Sequence, residues 1–80
     1  MKLQRAVALR LSKLLLEKKM TQYALSKKMC VPQTTIKHIM HEEYNSIRLD
    51  TLVKIADAFD MTVQEFLDDK VFDRANLDVF

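Results

Sequence analysis

Four polar residues near the middle of the chain, Thr34, Lys37, His38 and His41, recur at spacings of three and four. At about 100° per residue they fall on one side of a helix. Ile36, Ile39 and Met40 fall on the other side, and Gln33 and Thr35 flank the polar face. A helix patterned this way buries one side and offers on the other a row of hydrogen-bond donors and acceptors with little apolar bulk. That chemistry suits a DNA major groove, where each base pair shows its own pattern of donors and acceptors.

Two short elements must hold this face in place. Segment 21–28 predicts a helix: Thr21 is a suitable N-cap, since its hydroxyl can accept an N–H of the first turn, and Ala24 and Leu25 are its apolar residues. Residues 29–32 break the chain, because Pro32 cannot continue one helix but is tolerated at the start of the next. Segment 33–40 is then the second helix. A helix start also presents unpaired N–H groups and the positive end of the macrodipole, which suits a phosphate. Gln22 stands where it can add a side-chain donor to the same group.

The flanking segments supply the bundle. Segment 3–18 predicts a helix with a core stripe of Leu3, Val7, Leu11, Leu14 and Leu15, and with Arg5, Arg10 and Lys13 off that stripe. Segment 41–48 reads as a loop around the turn formers Asn45 and Ser46. Tyr44 and Ile47 are expected to pack it on the core, Glu42 and Glu43 to point away, and Asn45 and Arg48 to lie within reach of a DNA backbone. Segment 49–59 predicts a helix with a wide apolar face of Leu49, Leu52, Val53, Ile55, Ala56 and Phe59, and with Asp50 set against the helix dipole. Thr62 and Glu65 form a capping box that opens a helix over 63–68, with Val63, Phe66 and Leu67 inward. The tail carries Val71, Phe72, Leu77, Val79 and Phe80. Such a tail either folds back on the bundle or makes a dimer contact. The expected organisation is one domain over 1–69 and a tail over 70–80.

Eighty residues without a glycine and with a single proline fit a small all-α domain. A chain of this size buries only about 60% of its unfolded surface, so the core must be economical. Charge divides sharply along the chain. Up to His41 there are nine bases (Lys2, Arg5, Arg10, Lys13, Lys18, Lys19, Lys27, Lys28, Lys37) against the single acid Glu17; from Glu42 onward there are four bases against ten acids. A basic first half implies a polyanionic partner.

In order and spacing, several segments together resemble the phage-repressor (Cro-like, XRE-type) helix-turn-helix family. They are Thr21-Gln22, Ala24-Leu25, Val31, Gln33-Thr34-Thr35-Ile36, Leu49-Asp50-Thr51-Leu52, Ile55-Ala56, Met61-Thr62-Val63 and Glu65-Phe66-Leu67. The resemblance spans about residues 9–67. It implies a compact five-helix bundle whose second helix crosses the DNA backbone and whose third enters the major groove. Carried over by position, Gln33, Thr34, Lys37 and His38 would face base edges, while Thr21, Gln22, Thr35, Asn45 and Arg48 would touch the backbone. It further implies a transcriptional regulator; because a single module this small binds modestly, a homodimer on a palindromic operator is expected, its half-sites about 34 Å apart. Two positions depart from the family pattern: Cys30 stands where Gly is frequent, and Pro32 where Ser or Thr caps the third helix.

Other classes fit poorly. A chain without Gly has no Gly-rich phosphate loop, and no nucleophilic motif is present, so an enzyme is not expected. Cys30, His38 and His41 fall short of the four ligands of a structural zinc site, so neither metal nor cofactor is expected. Acid pairs such as Asp68-Asp69 read as solvated charges. The main rival is a protein-binding module of the same family, such as an antitoxin docked on a toxin. A lone cysteine fits a reducing cytoplasm. No apolar run reaches membrane-spanning length, and the charge-studded N-terminal segment lacks the features of a signal peptide.

Overall fold

A computed structural model describes residues 1–78. Its elements in order are α1 (Leu3–Glu17), α2 (Gln22–Met29), α3 (Gln33–Met40), α4 (Leu49–Ala58) and α5 (Val63–Leu67), followed by 3-10 turns at Lys70–Phe72 and Arg74–Asn76. No strand occurs among the described residues. The fold is therefore the expected all-α five-helix bundle.

The core gathers one edge of every helix. Val7, Leu11 and Leu14 of α1 meet Leu25 of α2, Ile36 and Ile39 of α3, Leu52, Ile55 and Ala56 of α4, and Phe66 of α5. Each large aliphatic side chain sealed from water contributes roughly 1.5–3 kcal/mol. Three residues expected inside are instead exposed: Leu3, Leu49 (66%) and Val53 (47%). Leu3 borders an open cleft with Lys2, Gln4, Asn45 and Asp78. Leu49 and Val53 are one turn apart on a side of α4 that no other helix covers, since the width of an apolar stripe in sequence does not say how many neighbours it meets.

Four helices end in the same way, without glycine. Lys19, Cys30, Glu42 and Asp60 have φ between 52° and 58°, a left-handed conformation that disfavours residues with a Cβ by roughly 1–2 kcal/mol. After each, the next N–H reaches back five residues: Met20 to the Leu15 carbonyl at 2.9 Å, Val31 to Ser26 at 3.0 Å, Glu43 to His38 at 2.9 Å and Met61 to Ala56 at 3.1 Å. These are Schellman closures, which satisfy orphan carbonyls and place an apolar residue over the last turn. Met20, Val31 and Met61 do pack on the core; the closing residue of α3 is the charged Glu43.

Arg10 departs most from the sequence expectation. It is buried, not off the core stripe, because α5 is too short to satisfy its own C-terminal carbonyls. Arg10 Nε donates to the Phe66 carbonyl at 2.8 Å and Nη2 to that of Glu65 at 3.1 Å. Its guanidinium also lies 5.8 Å from the centroid of the Phe66 ring. The third arm, Nη1, lies 3.2 Å from Asp69 Oδ2, which Lys13 Nζ approaches at 3.3 Å. Asp69 is thus an internal partner and not a solvated tail charge.

The tail folds back. Phe72 packs on Phe66, ring centroids 5.9 Å apart. The Asp78 N–H donates to the Met1 carbonyl at 2.7 Å, and the Met1 ammonium donates to the Asn76 carbonyl at 2.6 Å. Val79 and Phe80 lie outside the described residues.

Two stability predictions follow from these contacts. Cys30→Gly should raise the chemical denaturation free energy by up to about 1 kcal/mol, strain relief outweighing the added freedom of the unfolded chain; a lower midpoint would show that Cys30 is not strained. The second concerns acid. The Thr62 backbone N–H, with the Thr62 hydroxyl, holds the Glu65 carboxyl below its ordinary pKa. The Val71 N–H, then Lys13 and Arg10, do the same for Asp69 against the effect of burial. Depressed folded-state values mean that both groups add stability above the ordinary carboxylate range of about pH 4 and lose it as pH falls through their lowered values. Thermal melts from pH 6 to pH 2 should therefore show a decline that the double variant Glu65→Gln, Asp69→Asn flattens.

Candidate nucleic-acid interface

The α2–α3 unit is built by local chemistry at each end. Thr21 Oγ1 accepts the Ala24 N–H at 3.0 Å and starts α2. Leu25 is fully buried, and Ser26 beside it donates its hydroxyl to the Tyr23 carbonyl at 2.6 Å. Left-handed Cys30 stops the helix and Val31 anchors the turn on the core. Pro32, in extended conformation, then opens α3 with no side-chain cap. By helix geometry the first N–H groups of α3 lack intrahelical partners, and they point the positive end of its dipole at whatever approaches.

The rotation of α3 is fixed by Ile36 and Ile39, which are 0% and 1% exposed. Gln33, Thr34, Lys37 and His38 consequently lie at the surface. Thr21 and Gln22 are exposed at the start of α2, and Asn45 and Arg48 in the segment between α3 and α4. Thr35 is half-buried and lines a cleft of about 210 Å³ with Ile39, Tyr44, Ile47, Arg48 and Thr51. The Asn45 carbonyl accepts Gln4 Nε2 at 2.9 Å, tying this segment to α1. Arg48 Nε lies 3.2 Å from Asp50 Oδ1 with the arginine side chain 81% exposed, a pairing that adds little to stability.

Two residues of the 41–48 segment behave differently from the sequence expectation. Tyr44 does not pack into the core. It is 38% exposed and its ring leans on His38, centroids 5.9 Å apart and planes at 35°. Glu43 does not point away either: its Oε2 lies 3.4 Å from His38 Nδ1. Glu42 is 3.7 Å from Arg5. The pattern of turn formers marks a loop but gives no indication of which side chains fold back on the preceding helix.

The acids also sort the bases. Arg5, Arg10 and Lys13 are paired with Glu42 or Asp69. Among the described residues, no carboxylate pairs with Lys18, Lys19, Lys27, Lys28 or Lys37. These five stand in the α1–α2 link, in the last turn of α2 and on α3. Lys27 rests over the Tyr23 ring, 5.2 Å from its centroid. Of the nine lysines and arginines without a carboxylate partner among the described residues, these five lie on or beside the elements that carry the exposed polar face, and Lys2, Lys54, Lys70 and Arg74 are scattered elsewhere.

No curated protein and no solved structure matches the chain significantly. A family model described as a Cro/C1-type HTH DNA-binding domain matches residues 10–71, which takes in all five helices apart from the first two turns of α1. With its helical bundle, its tight α2–α3 turn and its exposed α3 face, the chain belongs to the Cro/C1-type helix-turn-helix DNA-binding domain family.

Proposed function

We propose that the protein is a sequence-specific double-stranded DNA-binding transcriptional regulator that inserts α3 into the major groove. The observation that carries this reading is the two-sidedness of α3: Ile36 and Ile39 sealed in the core, and Gln33, Thr34, Lys37 and His38 at the surface. In this reading Gln33 pairs through its amide with adenine, the Thr34 methyl meets a thymine methyl, and Lys37 donates to guanine. Thr21, Gln22, Thr35, Asn45 and Arg48 position the domain on phosphates, which sets register but not sequence preference. A homodimer on an inverted repeat supplies affinity beyond one small module.

A second reading, an antitoxin or other partner-binding module of the same family, is favoured by the exposed pair Leu49 and Val53. Those residues are on α4 and not on α3, so protein binding there is compatible with DNA binding.

Salt dependence tests the electrostatic part. The logarithm of the DNA association constant should fall with the logarithm of salt concentration by about 0.9 per phosphate neutralised. Arg48→Ala, which removes the one cation among the proposed phosphate contacts, should lower that slope by about 1; affinity insensitive to salt would remove DNA as the partner. Base reading is tested by selection from random duplexes followed by titration. Gln33→Ala should cost about 1–3 kcal/mol on the selected site and relax a single base position, whereas an equal loss on selected and random DNA would assign Gln33 to the phosphates.

A further inference from the structure

His38 and Glu43 are joined twice. The Glu43 N–H donates to the His38 carbonyl at 2.9 Å, closing the Schellman turn of α3. The Glu43 carboxylate then lies 3.4 Å from His38 Nδ1. In the corresponding closures of α1, α2 and α4 the second contact is made by an apolar residue on the core. Here it is a charge set against a ring on the exposed side of the helix. Tyr44, the next residue, supplies an aromatic face at 5.9 Å. The imidazole is thereby flanked on two sides, yet its side chain keeps 46% of its surface open.

A carboxylate beside one ring nitrogen discriminates between the two neutral tautomers. A proton on Nδ1 faces the negative charge favourably, and a lone pair there faces it unfavourably. The other nitrogen, Nε2, is then left as an acceptor. In a major groove an acceptor is complemented by an exocyclic amino group, adenine N6 or cytosine N4, and is opposed by the N7 and O6 acceptors of guanine.

We propose that Glu43 is a positioning residue that fixes the His38 tautomer, so that His38 selects a base bearing an amino group and rejects guanine. The inference rests on the base-reading role given above to α3. Glu43 itself touches no base in this scheme; it acts through the ring. The closing turn places Glu43 beside His38, because its backbone bond sets the Glu43 main chain next to the residue it orients.

The test is selection of bound sites from random duplexes by the full chain, followed by titration of single-base variants of the enriched site. Wild type should prefer adenine or cytosine over guanine by about fivefold at one position, the effect of one hydrogen bond. His38→Ala should erase the preference at that position alone. Glu43→Gln, which removes the charge that discriminates between the tautomers, should lose it. Glu43→Ala should lose it while leaving the neighbouring positions intact. A purely structural Glu43 would lower the thermal midpoint and weaken binding to all sites alike; that result overturns the proposal, as does a Glu43→Ala profile identical to wild type. Enrichment of no sequence by wild type would overturn the base-reading role and this inference together, whereas a specific wild-type site with an unchanged Glu43→Ala profile overturns this inference alone.

Discussion

Ile36 and Ile39 are nearly one turn apart on α3, and both are closed to water. Their burial fixes the helix in rotation about its own axis. A residue at 0% exposure cannot be turned outward without opening a cavity and exposing its neighbours, at a cost of several kcal/mol. Everything exposed on α3 is exposed because these two side chains are not. Leu25 and Val31 set the other coordinate, the angle at which α3 leaves α2, by pinning both sides of the turn to the core. An eight-residue helix would be marginal in isolation, so its order comes from these contacts and not from its own propensity.

The second support is more remote. Arg10 reaches from α1 to the end of α5, where it occupies the Phe66 carbonyl and adds a second donor to that of Glu65, which the Asp68 N–H also reaches. A short helix needs such help, since most of its carbonyls belong to its last turn. The Arg10–Asp69 contact carries the same tie onward into the tail, where Phe72 covers Phe66. One buried cation therefore connects the first helix, the last helix and the segment beyond it.

Much of this was legible in the sequence because it is local. The bounds of α3, the Thr21 cap, the capping box from Thr62 to Glu65 and the inward phase of Ile36 and Ile39 all follow from spacings of three and four residues. The exposed positions of Gln33, Thr34 and Lys37 follow from the same phase. What escaped depends on distant pairing. Arg10 and Phe66 are more than fifty residues apart, and a charged residue on a helix reads as solvated until the carbonyls it serves are located. Leu49 and Val53 look like core for the opposite reason: periodicity gives a stripe but not the number of helices that cover it. Asp69 and Glu43 both read as solvated in the sequence, because a run of acids carries no trace of which one finds a partner in the fold.

Charge in this molecule is segregated by element. Lys18, Lys19, Lys27, Lys28 and Lys37 lie unpaired about α2 and α3, while acids predominate from the end of α3 through α4, α5 and the tail. A body with net charge +2 and charges divided in this way has a dipole as well as a monopole. In the field of any polyanion it experiences a torque before contact, and the α2–α3 side turns to face the source. The first encounters are then already partly oriented, and fewer collisions are wasted. Because that torque acts across solvent, it fades once the Debye length contracts below roughly 10 Å, well before the short-range contacts themselves weaken.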